Sequence, residues 1–360
     1  MGKNLNLLLL LSVLSVASCS SDDEDFLEYI SETPTSVESS AGASKEESAG
    51  ANSEDEPLDS SEGVTRYVDS NGDVAFIPAG FQVSGKADER VVRTGLVVIG
   101  PDGSEYVWVS TRETPLQQRN FGSFFSGGSI SSYRDDTTLP AYQAMAESVE
   151  YYDGFYVGRY EASQGGGSNL ADYVPASKPV TSNQAGRIWI QFSPQDATIA
   201  CENLYRTNPT VQGFFLWGCN WDTTLQWLVD TGNKTYEEVA SNSTSWGNYS
   251  NDDFSPGARG NYTGAYEQAK ANNIYDLAGN NWEWTQERYG SSYVMRSGGY
   301  NLMGGSCPGD YYPASIRDPL PGNNHHPNVC FRVGLFVTVG AELVETGDDN
   351  TTGMKPIPAE

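Results

Sequence analysis

Short runs in which apolar and polar residues alternate recur through the central part of this chain. They lie at Phe76–Phe81, Gly95–Ile99, Glu105–Val109 and Gly154–Glu161, and Asn-Gly, Gly-Lys and Pro-Asp-Gly signals flank the first three. Alternation bounded by turn-forming residues is typical of strands joined in hairpins. We therefore predict two hairpins and a further strand, with the Gly-, Ser- and Asp-rich segment 121–138 between them as a loop.

Two segments have the signals of short helices. Ser193–Leu204 begins with a serine suited to be an N-cap, followed by a proline at the first helical position. Asn220–Thr231 carries an apolar stripe of Trp221, Leu225 and Leu228. No repeat of fixed period is visible, which argues against solenoids and propellers. With 38% hydrophobic residues, 38 glycines, 21 tyrosines and 8 tryptophans, the chain is expected to be α+β and loop-rich.

The first 19 residues have the pattern of an export signal. Lys3 precedes an apolar run, Leu5–Val16, that is too short to span a bilayer. Small residues then lead into Cys19, as in a bacterial lipobox, so we predict that Cys19 is lipidated and anchors the protein to the outer membrane. The alternative is an ordinary cleaved signal in which this cysteine has no role.

Residues 20–63 have the composition of a disordered tether. They hold 14 acidic side chains against the single Lys45, with Ser, Ala, Gly and Pro among most of the others. Such a segment repels itself and stays extended, so it would hold a folded part away from the membrane. We divide the remainder into a β-rich part at 64–151, a main domain at 152–340 and a tail at 341–360. No basic patch is present, which excludes nucleic acid as a partner.

Several phrases in the second half of the chain occur together in one known family. They are Phe155–Glu161, Pro179–Val180, Asp196–Ala197 with Cys201, Trp221–Asp222, Asn273–Trp284, Arg296–Gly299, Ala314 with Arg317, and Phe331–Arg332. Over 152–339 the chain thereby resembles the formylglycine-generating-enzyme-like, or sulfatase-modifying-factor, family. The resemblance implies a C-type-lectin-like fold. Two phrases depart from the family: Arg296-Ser-Gly-Gly replaces Arg-Gly-Gly-Ser, and Cys330-Phe-Arg replaces Gly-Phe-Arg.

The resemblance does not extend to the family's catalytic cysteines. Active members bind copper with a cysteine pair beyond the Gly-Gly phrase, but Met303 and Pro308 stand at those positions and Cys307 is the single thiol nearby. We therefore expect no catalysis. No hydrolase constellation can be assigned either, because the two histidines are adjacent in a loop. The cysteines after Cys19 allow three disulfide pairings, which stay open: Cys201, Cys219, Cys307 and Cys330.

The resemblance also implies a calcium ion at the turn before Trp-Glu-Trp. The matching positions are Asp276 and Glu283 through carboxylates, and Gly279 and Asn281 through backbone carbonyls. Oxygen ligands suit a hard cation. The alternative is that the two acidic residues only cap the turn. We predict that four tryptophans belong to the core and do not stack on a ligand: Trp221, Trp227, Trp282 and Trp284.

The segment 300–330 is polar, without periodicity, and rich in residues that suit adaptable binding surfaces. We predict that it binds a ligand through Tyr300, Asn301, Asp310, Tyr311, Tyr312, Asp318, Asn323, Asn324, His325, His326 and Asn328. A change of one adenine in an Asn codon gives Tyr, Asp or His, as in variable proteins of diversity-generating retroelements, many of which resemble this fold. Strands are expected on both sides, at Arg296–Gly299 and Phe331–Leu335.

The sequence therefore predicts a surface lipoprotein that displays a C-type-lectin-like domain and binds an unknown protein or glycan without catalysis. Two alternatives stay open: an oxygen-dependent formylglycine-forming enzyme, and a structural partner in an envelope assembly.

Overall fold

A six-stranded sheet contains strands from both the early and the late parts of the chain. The computed structural model describes residues 63–125, 128–163, 188–191, 193–249, 262–299, 312–322, 325–326 and 328–344. In order across the sheet, the strands are β3 (Gln82–Val83), β4 (Val97–Ile99), β5 (Glu105–Ser110), β7 (Gly154–Gly158), β15 (Val333–Val337) and β8 (Val211–Phe215). Because β5 pairs with β7 along its length, residues before and after 152 share one sheet.

A second sheet carries most of the candidate functional residues. Its strands, in order, are β13 (Asp318–Leu320), β12 (Ser292–Arg296), β11 (Trp282–Tyr289) and β14 (Val329–Phe331), and β6 (Tyr133–Arg134) also pairs with β11. β12 is antiparallel to both β11 and β13, whereas β14 is parallel to β11. This mixture of directions brings several strand ends to the same side of the sheet.

Two smaller sheets complete the described strands. β1 (Val64–Val68) lies between β2 (Val74–Ile77) and β16 (Leu343–Val344), and its pairing with β16 is parallel. β9 (Lys270–Ala271) and β10 (Ile274–Tyr275) form a short hairpin that leads into β11. The first and last described strands are therefore neighbours.

Four α-helices lie among the described residues: α1 (Pro140–Tyr152), α2 (Pro194–Asn203), α3 (Gly218–Asp230) and α4 (Tyr236–Ala240). The helix predicted after Ser193 is confirmed, and Ser193 and Asp196 form a reciprocal capping box at its start. The helix predicted at Asn220 is also confirmed, but it begins two residues earlier. The predicted class, α+β with much irregular backbone, is confirmed as well.

Aromatic and β-branched side chains fill two large apolar clusters. One cluster packs around Trp108, Tyr156 and Phe331, and the other lies around Trp217, Trp221 and Trp227. Trp221, Trp227 and Trp284 are buried, as predicted, but Trp282 is only partly buried. Among the described residues, no helix is long and apolar enough to cross a membrane.

Some predictions for the local structure need correction. Arg296–Gly299 is not a strand, because β12 ends at Arg296 and both Ser297 and Gly298 have a left-handed backbone, with φ of 82° and 72°. The loop predicted at 121–138 contains the short strand β6. Cys201, Cys219 and Cys330 are free thiols, so no disulfide joins any two of these three described cysteines. The signal segment with Cys19, the tether at 20–62 and Cys307 lie outside the described residues.

Candidate functional site

Four strands of the second sheet have an end at the same side, which we call the Trp282 end. Trp282 begins β11 and pairs with Val329, the first residue of β14. On the other side of β11, Glu283 pairs with Arg296 at the end of β12, and Met295 pairs with Asp318 at the start of β13. Segment 297–317 therefore leaves and re-enters the sheet at the Trp282 end.

Two fully buried arginines fix the two ends of segment 297–317. The Arg296 guanidinium donates to Asp222 Oδ1 at 2.6 Å and to Glu287 Oε2 at 3.1 Å. Arg317 donates to the same two carboxylates, through Nε to Glu287 Oε1 at 2.9 Å and through Nη2 to Asp222 Oδ2. Arg296 Nε also donates to the carbonyl of Ile316 at 2.9 Å. This quartet balances its charges and attaches the segment to α3 and β11.

The Ser-Gly-Gly phrase after Arg296 fits between the turn before β11 and the ring of Trp282. The amide of Gly279 donates to the carbonyl of Ser297 at 3.0 Å, and Ser297 Oγ donates to the carbonyl of Gly279 at 3.0 Å. A Cβ on Gly299 would lie 2.6 Å from the Trp282 ring, so a larger residue cannot fit there without movement. The Ser-Gly-Gly phrase that precedes the candidate binding segment is therefore in direct contact with the candidate metal turn.

The turn at 276–281 depends on residues that tolerate a left-handed backbone. Asp276, Gly279 and Asn280 have φ of 59°, 76° and 64°. Asp and Asn adopt this region more readily than other non-glycine residues, and glycine adopts it freely. At Gly279 a side chain would also collide with the backbone of Asn248. The motif Asp-Leu-Ala-Gly-Asn-Asn thus encodes the tight turn that precedes β11.

Beside this turn lies a buried cluster of three carboxylates, one guanidinium and one thiol. Arg332 donates to both oxygens of Glu283, at 2.6 Å and 3.1 Å, and to the carbonyl of Tyr275 at 2.9 Å. Glu161 accepts from the Asn281 amide at 3.3 Å and from Cys330 Sγ at 3.4 Å. Ligand atoms of Glu161, Glu283 and Cys330 all lie within 4.8 Å of one another. We call Glu161, Asp276, Glu283, Cys330 and Arg332 the buried acidic cluster.

Burial disfavours the charged forms in this cluster. It raises the pKa of Glu161 far above its usual range, and the neighbouring Asp276 and Glu283 raise that pKa further. Burial likewise raises the pKa of Asp276 to about 7, although the Gly264 amide, which donates to its Oδ2 at 2.7 Å, opposes the shift. With three carboxylates and one guanidinium, the cluster holds two more negative than positive groups when all are ionised. Protons or a cation must balance that difference.

The negative charge of the cluster suits the predicted calcium ion, and two of the four predicted ligand residues, Asp276 and Glu283, belong to the cluster. Asp276 Oδ1 is fully buried, and no described residue donates to it, as is expected of an oxygen that faces a cation. Glu283 is also present, but Arg332 occupies both of its oxygens. Gly279 and Asn281 lie in the turn, where the carbonyl of Gly279 accepts from Ser297. Calcium at these four residues stays a prediction.

The predicted ligand-binding residues have different environments. His325 is exposed, His326 and Asn328 are half-buried, and Asp318 starts β13 with burial that raises the pKa of its carboxyl to about 7. Tyr312 is 5% exposed and packs against Trp282 and Phe125, so it belongs more to the base of the site than to its surface. Six predicted residues lie outside the described ones: Tyr300, Asn301, Asp310, Tyr311, Asn323 and Asn324.

The described histidine and cysteine side chains near the site have the following environments. His325 Nε2 lies 3.5 Å from Asp196 Oδ2, and Ser193 Oγ donates to the same carboxylate oxygen at 2.8 Å, so the acid lies between the serine and the histidine. A serine nucleophile needs a histidine as its base, with the acid beyond it. Burial raises the pKa of Cys201, Cys219 and Cys330, which keeps these thiols protonated.

The sequence did not predict a site role for three members of the buried acidic cluster, Glu161, Cys330 and Arg332. Glu161 follows the buried strand β7 and is itself fully buried. Full burial is rare for a carboxylate unless it has a partner. The sequence signal that could have identified Glu161 is an acidic residue near the end of a strongly apolar strand. Cys330 was visible only as a departure from the Gly-Phe-Arg phrase of similar proteins. No protein-family model matches the sequence, and comparison with the curated proteins gives no match.

Removing one arginine of the quartet should be strongly destabilising. In Arg317→Met, Asp222 and Glu287 keep one guanidinium between two buried carboxylates, so we expect the free energy of unfolding to fall by about 3–5 kcal/mol. Urea denaturation monitored by tryptophan fluorescence measures this. The matched control is Arg93→Met, whose ion pair with Glu113 is exposed and should contribute about 0–1 kcal/mol. Equal, small losses in both variants would show that the quartet does not stabilise the fold.

Proposed function

We propose that this protein is a non-catalytic lipoprotein of the outer membrane that binds a protein or glycan ligand at the Trp282 end of its second sheet. In this proposal Cys19 carries the lipid anchor, and the acidic segment after it holds the domain away from the membrane. The fold is of the C-type-lectin-like type, in the formylglycine-generating-enzyme subtype. The segment 300–330 supplies the ligand contacts.

One observation carries the proposal: the polar segment leaves and re-enters the sheet at one end, on residues that buried ion pairs hold in place. Arg296 and Arg317 fix the stretch between β12 and β13, and Arg332 follows β14 directly. Binding residues are often carried on loops that a rigid scaffold positions. Outside its buried residues, such as Arg317 and Cys330, the segment could therefore change its sequence without loss of the framework.

The surface chemistry around the framework suits recognition of a polar ligand. His325 offers a ring that donates and accepts, and Asn328, before β14, and Asp318, at the start of β13, add short polar groups at the Trp282 end. Phe125, which is 41% exposed, packs against Tyr312 at a centroid distance of 5.7 Å and extends an aromatic patch from Trp282. Aromatic rings flanked by short polar side chains are common in paratopes.

A cation in the buried acidic cluster would stabilise the turn beneath these contacts. Calcium is the ion that the resemblance implies, with Asp276 and Glu283 as carboxylate ligands and Gly279 and Asn281 as carbonyl ligands. The ion would supply the positive charge that the cluster lacks. It takes no part in chemistry in this proposal, because its role is to hold the turn and the Ser297 contact in place.

Changes in the polar segment should abolish binding and leave stability almost unchanged. We expect the triple variant Asp310→Ala, Tyr311→Ala and His325→Ala of the chain from residue 20 to lose more than about tenfold affinity for the targets of the parent on glycan and surface-protein arrays. Its melting temperature should stay near that of the parent. The control carries Asp88→Ala, Tyr151→Ala and Tyr236→Ala, all exposed on other elements. Unchanged binding by the loop variant would place the ligand site elsewhere.

Diversification predicts a specific arrangement of DNA beside the gene. We expect a near-copy of the codons for residues 300–330 that differs only at adenines, next to a reverse-transcriptase gene. Sequencing the downstream region tests this directly. If both are absent, the role of a structural lipoprotein in an envelope assembly is the better explanation for the domain.

Chelation should destabilise the protein if an ion occupies the turn. A site occupied at 100 times its dissociation constant contributes about 2.7 kcal/mol, so EGTA should lower the melting temperature, and added calcium should restore it. Asp276→Asn should have a lower melting temperature that EGTA does not change, whereas the exposed Asp88→Asn should behave like the parent. A melting temperature that neither EGTA nor Asp276→Asn alters would argue against a bound ion.

A further inference from the structure

We propose that Cys330 and Glu161, with Glu283 and Asp276, form a binding site for a thiophilic divalent cation of the zinc class. This proposal rests on the cation site of the proposed function. It replaces calcium with a thiophilic ion, and it replaces the carbonyl ligands of Gly279 and Asn281 with the side chains of Glu161 and Cys330. It does not depend on what the polar segment binds.

The three closest ligand atoms come from separate elements that meet at the Trp282 end. Glu161 follows β7, Glu283 is the second residue of β11, and Cys330 is the middle residue of β14, where it pairs with Glu283 in parallel register. All three are fully buried, and their ligand atoms lie within 4.8 Å of one another. The three ligand atoms thus lie close together at a place that solvent does not reach.

The spacing of the sulfur and oxygen atoms suits two ligands of one zinc ion. With Zn–S near 2.3 Å, Zn–O near 2.0 Å and tetrahedral angles, the sulfur and the oxygen lie about 3.5 Å apart. Cys330 Sγ and Glu161 Oε1 are separated by 3.4 Å. A small movement of these side chains would admit the ion between them.

Asp276 supplies an independent indication of a cation. Its Oδ1 is fully buried without a hydrogen-bond partner of good geometry among the described residues, while its Oδ2 accepts from the Gly264 amide at 2.7 Å and the Thr263 side chain also bonds to the carboxyl group. Asp276 lies near the other acids, since the carbonyl of the preceding Tyr275 accepts from the same Arg332 that binds Glu283. A buried carboxylate oxygen without a donor is rare unless it faces an ion or water.

The charges of the cluster also favour a divalent ion. With the Cys330 thiolate, three carboxylates and the Arg332 guanidinium sum to three negative charges, of which a divalent cation would offset two. The surrounding residues are suited to orient the ligands: Asn280 Nδ2 and the Asn281 amide donate to Glu161, and Arg332 donates twice to Glu283. Such outer contacts fix the positions of metal ligands.

The thiol decides which ion is preferred. Calcium takes six to eight oxygen ligands and gains little from sulfur, whereas zinc is bound readily by mixed thiolate and carboxylate sets of four. On binding, the Cys330 thiol releases its proton to solvent and the thiolate coordinates the ion. Burial and the adjacent Glu161 raise the pKa of this thiol, so affinity should fall as the pH is lowered.

The test uses the purified chain from residue 20 and three variants: Cys330→Ser, Glu161→Gln and, as a matched control, Cys201→Ser, another fully buried free cysteine. Metal content is measured after purification. Cobalt(II) is then exchanged into the chelated protein as an optical probe, because a thiolate ligand gives a sulfur-to-cobalt charge-transfer band.

We expect the parent and Cys201→Ser to hold one zinc ion and to show the band, and Cys330→Ser to lack the band and to bind zinc more than tenfold more weakly. Glu161→Gln should keep the band with weakened affinity, which separates loss of a ligand from loss of the fold. An unchanged band in Cys330→Ser would overturn the proposal. So would a parent whose chelated form regains its melting temperature with calcium but not with zinc, a result that would leave the calcium site intact.

Discussion

Buried ion pairs around Arg296, Arg317 and Arg332 are the constraint on which this structure depends. All three guanidinium groups are fully buried, and each is held by carboxylates that are also fully buried. Removing charges from water costs several kcal/mol per ion, so such pairs stabilise a fold only when the geometry is good and the remaining donors are satisfied. Arg332 meets that condition with two carboxylate oxygens and two backbone carbonyls. The pairs specify which loops meet at the Trp282 end.

The quartet and the buried acidic cluster differ in their charge balance. In the quartet, two arginines face two acids, and every carboxylate oxygen accepts a hydrogen bond from one of the guanidinium groups. In the acidic cluster a single arginine faces three acids, and one buried oxygen of Asp276 has no donor among the described residues. The first arrangement balances its charges, although Arg317 Nη1 is buried without an acceptor among the described residues, whereas the second needs protons or a cation. The Trp282 end thus combines a charge-balanced cluster with a cluster whose charges are not balanced.

Local signals predicted the elements whose formation depends on near neighbours. Ser193 and Asp196 cap α2 across three residues, and the Trp221 stripe marks α3, so both helices could be read from the sequence. Helix α1 was missed although Met145, Val149 and Tyr152 recur at helical spacing on its buried face; no side chain caps its start. The strand predicted at Arg296–Gly299 was wrong because a tertiary contact, with the turn at Gly279, sets the backbone of Ser297.

The sequence motifs of the site could be predicted, but not which distant residues join them in the fold. Asp276 and Glu283 are close in sequence, whereas Glu161 and Cys330 join them from 122 and 47 residues away from Glu283, through strand order alone. Ser297 connects the two halves of the site. Its left-handed backbone, which costs a non-glycine residue about 1–3 kcal/mol, is offset by the paired hydrogen bonds with Gly279. The turn at Gly279 thus fixes the backbone of Ser297, directly after the strand that carries Arg296, so the buried acidic cluster and the arginine quartet are joined through one short turn.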